Sequence, residues 1–178
     1  NWCVKKKVSP NQVRYVEKGK TQQIGDFTVT PFAVPHDSSD CVGYCVQCEG
    51  ITFTLVTDCG HVTEEICAFV AKANYLVIEA NHEVEKLMAG PYPLYLKERI
   101  TSQIGHLSNA ECARTIVENA TENLKHVWLC HLSDENNHPE LARIAVTSLM
   151  ESYGLRAGVD FIVEVLRRKI PSEIYDLK

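Results

Sequence analysis

Three short stretches place metal-type ligands where a strand runs out. Leu55-Val56-Thr57-Asp58-Cys59-Gly60 is an apolar, β-branched run that stops on a carboxylate and a glycine. Such a strand delivers Asp58 to the rim of a sheet, where ligands and metals bind in layered α/β folds. Pro35-His36-Asp37 follows the run 27–34 and His131-Leu132-Ser133 follows the run 126–130. Two imidazoles and a carboxylate, each ending a strand, make half of a metal site. The chemistry open to such a site is hydrolysis, because a bound divalent cation lowers the pKa of its water to about 7. The competing roles are ordinary: a turn aspartate that caps its own loop for Asp58, and a structural histidine for His36 and His131.

The elements that must carry these residues read in order. The segment 1–20 is a basic lead-in with one short strand at 13–16. Strands follow at 22–24, 27–34, 42–48 and 51–56, punctuated by Gly25-Asp26 and Glu49-Gly50, an antiparallel meander that ends on Asp58. After Gly60 the period turns helical, with Thr63 as N-cap and Ile66, Phe69, Val70 and Ala73 at helical spacing. A buried strand at 75–78 ends on the polar cluster Glu79-Ala80-Asn81-His82. A helix at 83–88 stops at Gly90-Pro91, and 94–104 is amphipathic. Ser108 and Glu111 form a capping box for a helix to about residue 120. The strand 124–130 delivers His131. A helix opening around Asn137, Pro139 and Glu140 presents Leu141, Ile144, Ala145, Leu149 and Tyr153 until Gly154 ends it. A strand at 161–166 is followed by Arg167-Arg168-Lys169 and a polar tail. Strands first, then alternating helix and strand, give an α/β (α+β) sandwich in one domain, 1–178, with a mixed sheet and covering helices.

Composition narrows the function. The chain has 178 residues and a net charge of −5. Residues 1–20 carry six basic side chains against Glu17, whereas 21–165 carry 20 acidic against eight basic, so contact with nucleic acid has to be local. No apolar run reaches the roughly 20 residues of a membrane span and no signal-peptide pattern opens the chain, which predicts no membrane association and a cytoplasmic setting. Most of the eight cysteines sit in strand or helix patterns and are expected as reduced, buried thiols. Cys41, Cys45 and Cys48 do not converge on a strand, so structural zinc is not expected there.

Taken together, Pro35-His36-Asp37 with Val42-Gly43-Tyr44, Thr57-Asp58-Cys59-Gly60, Glu79-Ala80-Asn81-His82, Gly90-Pro91-Tyr92-Pro93, Gly105-His106-Leu107-Ser108-Asn109 and His131-Leu132-Ser133 resemble the metallo-β-lactamase-fold hydrolases, specifically the bacterial YycJ/WalJ-like group, related to RNase Z. The resemblance implies a partial metallo-β-lactamase-type αββα sandwich. It also implies that a His-x-His-x-Asp-His half, absent from this sequence, supplies most ligands of a metal pair. The chain then corresponds to the C-terminal portion of such an enzyme.

In that reading His36, Asp58 and His131 are metal ligands, with Asp58 bridging two divalent ions, Zn or Mn, in the complete fold. This chain alone would hold at most one, weakly, and would be inactive. His106 joins Asp58 as a catalytic candidate that faces the substrate, the competing role being a histidine that packs or bonds to backbone before a helix. Asp37, Asn81 and His82 are candidates for substrate contact or ligand support, and Glu79 stands with Asn81 and His82 as a candidate for ligand support. The implied activity is phosphodiester hydrolysis by a metal-bound hydroxide, as in a DNA exonuclease, with nucleic acid as the expected partner. Small esters or lactones, or a non-catalytic binding or assembly module, are the alternatives. A sandwich without its first half exposes an apolar face, which predicts a homo-oligomer or association with the missing N-terminal half.

Overall fold

The computed structural model describes residues 8–178, so the first seven residues of the basic lead-in, Cys3 included, lie outside the described residues. Seven strands join one sheet in chain order: β1 (Gln22–Ile24), β2 (Phe27–Ala33), β3 (Val42–Cys48), β4 (Ile51–Val56), β5 (Tyr75–Glu79), β6 (His126–Cys130) and β7 (Ile162–Val165). The first four pair antiparallel and the last three join β4 in parallel. The hairpin between β3 and β4 turns on Glu49 and Gly50, both at positive φ (50° and 80°), the backbone that matches the twist of the flanking strands.

This order fixes where the chemistry collects. Two antiparallel steps make β2 parallel to β4, so β2, β4, β5, β6 and β7 all end at one edge. His36, Asp58, Glu79, His131 and the arginines after β7 leave the sheet there.

Between the strands lie α1 (Glu64–Lys72), α2 (Val84–Ala89), α3 (Leu94–Ile100), α4 (Asn109–Asn119) and α5 (Pro139–Ser152). Alternation along the strands sends Phe32, Cys45, Thr54, Val56, Leu76, Ile78, Val127 and Leu129 to one face, where all are buried. Ile66 and Val70 of α1, Cys112 and Ile116 of α4 and Val146 and Met150 of α5 complete this core. The opposite face carries Val46, Phe53, Leu55 and Val77, each half-buried. The C-terminal tail crosses part of it: Tyr175 packs edge-on against Trp128, and the Lys178 carbonyl accepts from the Tyr75 hydroxyl at 2.8 Å.

Helix starts match their local chemistry. Thr63 caps α1 through the Ile66 N–H, and Ser108 and Glu111 form both halves of a capping box on α4. His138 caps α5, accepting from the Glu140 N–H. Three expectations differ from the structure. Residues 13–16 form no strand. The amphipathic segment 94–104 is helical only to Ile100, and residues 101–105 make a tight turn. The buried stripe of α5 is Ala142, Val146 and Met150, while Leu141, Ile144 and Tyr153 face solvent. A sequence stripe one position off is hydrophobic enough to mislead because Leu149 and Ala145 border both faces. Among the described residues no helix is long and apolar enough to cross a membrane, and all seven described cysteines are free.

The corrected face is testable. Met150→Ala is expected to lower unfolding free energy by about 2–5 kcal/mol, and Ile144→Ala by less than about 1 kcal/mol, in urea denaturation. Equal costs would contradict the packing of α5.

Candidate metal centre

At the shared edge the strand ends bring His36, Asp58 and His131 together. His36 Nε2 lies 3.6 Å from Asp58 Oδ1 and His131 Nδ1 lies 3.7 Å from the same oxygen. Asp58 and His131 both have left-handed backbone, at φ 54° and 56°. That conformation costs a non-glycine residue roughly 1–2 kcal/mol, and such positions cluster where side chains are aimed for function.

The loops are locked by close approach. Gly60 N–H donates to the Pro35 carbonyl (2.7 Å) and Asp37 N–H to the Ile104 carbonyl (2.9 Å). A Cβ on Gly60 would come within 2.5 Å of the Gln103 carbonyl and the Gly105 nitrogen, and one on Gly105 within 2.3 Å of the Arg99 oxygen. Only glycine lets these backbones meet.

Behind them stands Glu79, the last residue of β5 and fully buried. Its Oε1 accepts from His106 Nδ1 at 2.7 Å and His131 Nδ1 at 3.0 Å, and its Oε2 from the Cys59 N–H at 2.8 Å. Burial pushes the Glu79 carboxyl up, but the hydrogen bonds from His106 and His131 outweigh it and hold the group below the usual carboxylate range. The same bond raises His131 above the ordinary histidine value. An ionised carboxylate only accepts, so both imidazoles carry their proton on Nδ1 and leave Nε2 bare when neutral. His36 is fixed likewise, because its Nδ1 faces the Gly105 carbonyl at 2.9 Å. Metal-binding histidines are oriented in this way.

Asp37 is held in a two-pronged pair by Arg99 of α3 (2.5 and 3.0 Å), which draws its carboxyl below the usual range. It sits 3.5 Å from His36 Nε2. Asn81 donates from Nδ2 to the His131 carbonyl (2.9 Å), and its own carbonyl accepts the Ser133 N–H, so it shapes the loop rather than entering the cluster. His82 is buried with Nδ1 unpartnered among the described residues, and burial lowers its pKa. It contributes main chain, accepting from the Asn109 N–H. Asn109 and Asn137 exchange amide hydrogen bonds at 2.9 Å, and Asn137 also donates to the Ala80 carbonyl, which ties the start of α4 to the loop after His131.

The donor set fits a divalent cation. The ligand atoms of His36, Asp58 and His106 lie within 4.8 Å of one another, as do those of Glu79, His106 and His131. Two atoms that ligate one ion at about 2 Å stand only a few ångströms apart, as His36 and Asp58 do here. Glu79 is committed to its three donors. The thiols nearby are unsuited, since burial pushes Cys59 and Cys130 up to about 12.

Glu79, a candidate for ligand support beside Asn81 and His82, is the one of the three that bonds to the imidazoles. Sequence reasoning did not assign Arg99 to the site, and it carried no signal, since its partner is 62 residues away.

Known proteins resemble this chain in the same terms. Residues 1–131 match the β-lactamase superfamily domain. The exodeoxyribonuclease YycJ of Bacillus anthracis is 35% identical over 156 residues, 88% of this chain and 59% of that protein. The exodeoxyribonuclease WalJ of Streptococcus pneumoniae is 38% identical over 157 residues, 88% and 58%. The chain thus spans less than two thirds of the length of these relatives. Among solved structures, the metallo-β-lactamase fold protein YhfI of Bacillus subtilis superposes with a TM-score of 0.61 at 16% identity, over 85% of this chain and 52% of that one. Zinc-bound PqqB of Methylobacterium extorquens superposes with 0.59 at 18%, over 92% and 54%. By its matched domain and its sheet, the chain belongs to the β-lactamase superfamily and has the metallo-β-lactamase fold.

Proposed function

We propose that these 178 residues are the C-terminal portion of a metal-dependent phosphodiester hydrolase acting on DNA in the manner of an exonuclease. The observation that carries this reading is the convergence of His36, Asp58, His106 and His131 from four separate loops, with one buried carboxylate fixing two of the imidazoles. The relatives named exodeoxyribonuclease support the substrate class. The free cysteines suit a cytoplasmic setting.

In this mechanism His36 through its bare Nε2, Asp58 through its carboxylate and His131 would hold the metal ions. When bound, the metal ions, Zn or Mn, supply Lewis acidity and lower the pKa of a water to about 7. Glu79 keeps the imidazoles from rotating and holds the Nδ1 protons. His106, bonded to Glu79 through Nδ1, is free to hold a proton at Nε2 and pass it to the leaving oxygen. Arg99 neutralises Asp37, so that its carboxylate does not compete for the cation.

The chain alone is expected to bind at most one divalent ion weakly and to hydrolyse neither DNA nor nitrophenyl phosphodiesters above background. Joined to a first half bearing His-x-His-x-Asp-His, it is expected to turn over with Mn or Zn, and Asp58→Asn is expected to abolish that turnover. Metal content and rate in each preparation check this. Full activity of the chain alone, or normal turnover in Asp58→Asn, would contradict the assignment, and a joined protein that binds metal but never turns over would favour a non-catalytic module.

Glu79→Gln cannot accept from all three donors, since its amide nitrogen faces one of them. We expect a loss of about 1–3 kcal/mol in unfolding free energy and slower turnover in the joined protein. Unchanged stability by denaturant titration would remove Glu79 from its positioning role.

The half-buried outer face of the sheet, with exposed Phe27, Ile24 and Ile162 at its margins, leads us to expect that the chain self-associates or binds the first half tightly. Sedimentation at tens of micromolar should give a dimer or larger species, and a clean monomer that ignores the added half would contradict this.

A further inference from the structure

A cleft of about 770 Å³ adjoins the cluster at the sheet edge; His106, His131, Tyr92, Arg99 and Arg167 line it, together with the carboxylates of Asp134 and Glu135. Its size is within the roughly 300–1,000 Å³ of small-ligand sites, and its position continues the site outward along the ends of β6 and β7. Leu129 pairs with Val165 in parallel register, and the Leu166 N–H donates to the Leu129 carbonyl at 2.9 Å. Arg167 therefore leaves the sheet at the same edge as His131, from the neighbouring strand.

The cations of this cleft are not equivalent. Arg99 is taken by Asp37 and Arg168 by Asp134, at 3.3 Å. Arg167 makes no ion pair and no side-chain hydrogen bond among the described residues, although it is exposed on the wall of the cleft. On the same cleft, Tyr92 is half-buried between Pro91 and Pro93. The two rings fix the backbone φ on either side. Lys97 reinforces the loop by donating to the Met88 and Gly90 carbonyls (2.6 and 2.8 Å). A rigidly mounted phenol and an uncompensated guanidinium on one cleft are the two elements that single-stranded nucleic acid needs, a stacking surface and a phosphate contact.

We propose that this cleft is the strand-holding subsite, with Arg167 on the phosphate next to the scissile one and the Tyr92 ring against the adjoining base. The proposal rests on the hydrolase reading above and adds its substrate contacts. It also accommodates the net negative charge of the chain, because the attraction is confined to one guanidinium beside the metal ligands.

The test is fluorescence anisotropy of the 178-residue chain with a labelled oligothymidine of about six nucleotides, within the span one such groove covers, at low salt and across a salt series. Arg167→Ala should weaken binding about 5- to 10-fold and reduce the salt slope by about 1. Tyr92→Leu should weaken it at least about 5-fold with the slope kept, and Tyr92→Phe should bind as the native chain does. Arg114→Ala, which removes an equal charge from α4 where Arg114 pairs with Glu118, serves as the control and should change nothing. Equal weakening by Arg114→Ala and Arg167→Ala would show diffuse charge attraction and overturn the subsite. So would native binding by Arg167→Ala and Tyr92→Leu, and so would a native chain that does not bind the oligonucleotide. Metal-dependent hydrolysis of a nitrophenyl phosphodiester by the joined native protein, a substrate with neither base nor second phosphate, reports on the hydrolase reading separately.

Discussion

The buried carboxylate of Glu79 is the interaction on which the rest of this site depends. A charge taken wholly out of water costs several kcal/mol unless donors replace its hydration, and here three do: His106, His131 and the Cys59 N–H. Each donor belongs to a different loop, so the need to satisfy one carboxylate draws together the segments after β4 and β6 and the segment before α4. Removing it would leave two imidazoles and a backbone amide without their acceptor in a half-buried pocket. The arrangement is therefore both a structural clamp and a device that sets which imidazole nitrogen faces the reacting space.

Topology makes the clamp possible. Because β2 is returned parallel to β4 by the meander, and β5, β6 and β7 continue in parallel, five strand ends share an edge and no long loop has to reach across the molecule. Backbone strain is concentrated at the same edge, at Asp58 and His131, while the closest approaches are allowed by Gly60 and Gly105. The rigid sheet and the core beneath it, built from Phe32, Ile66, Leu76, Ile116 and Leu129, carry that strain.

Much of this was legible in the sequence because the signals were local. The strands of the meander, the capping box at Ser108 and Glu111, and the arrival of His36, Asp58 and His131 at strand ends follow from period and punctuation. What was not legible is of longer range. Glu79 reads as one of three polar candidates for ligand support, with Asn81 and His82, until its bonds to the two imidazoles single it out, and Arg99 finds Asp37 only once α3 is folded over the edge. The face of α5 was misjudged because Leu141 and Ile144 are as apolar as Val146 and Met150, and only the angle at which the helix meets the sheet decides between them. His82 has the residue type of a ligand but is turned into the protein interior.

Main-chain and carboxylate acceptors fix His36, His106 and His131 with the proton on Nδ1, which leaves Nε2 of His36, 3.6 Å from Asp58, as the nitrogen offered to a cation. Nitrogen-15 NMR of the imidazoles measures this directly, at a pH of about 9, well above the ordinary histidine range. Nδ1–H tautomers are expected for all three, with added zinc or manganese perturbing Nε2 of His36. Nε2–H tautomers at His36 or His131, or a His36 resonance indifferent to the metal, would contradict this arrangement.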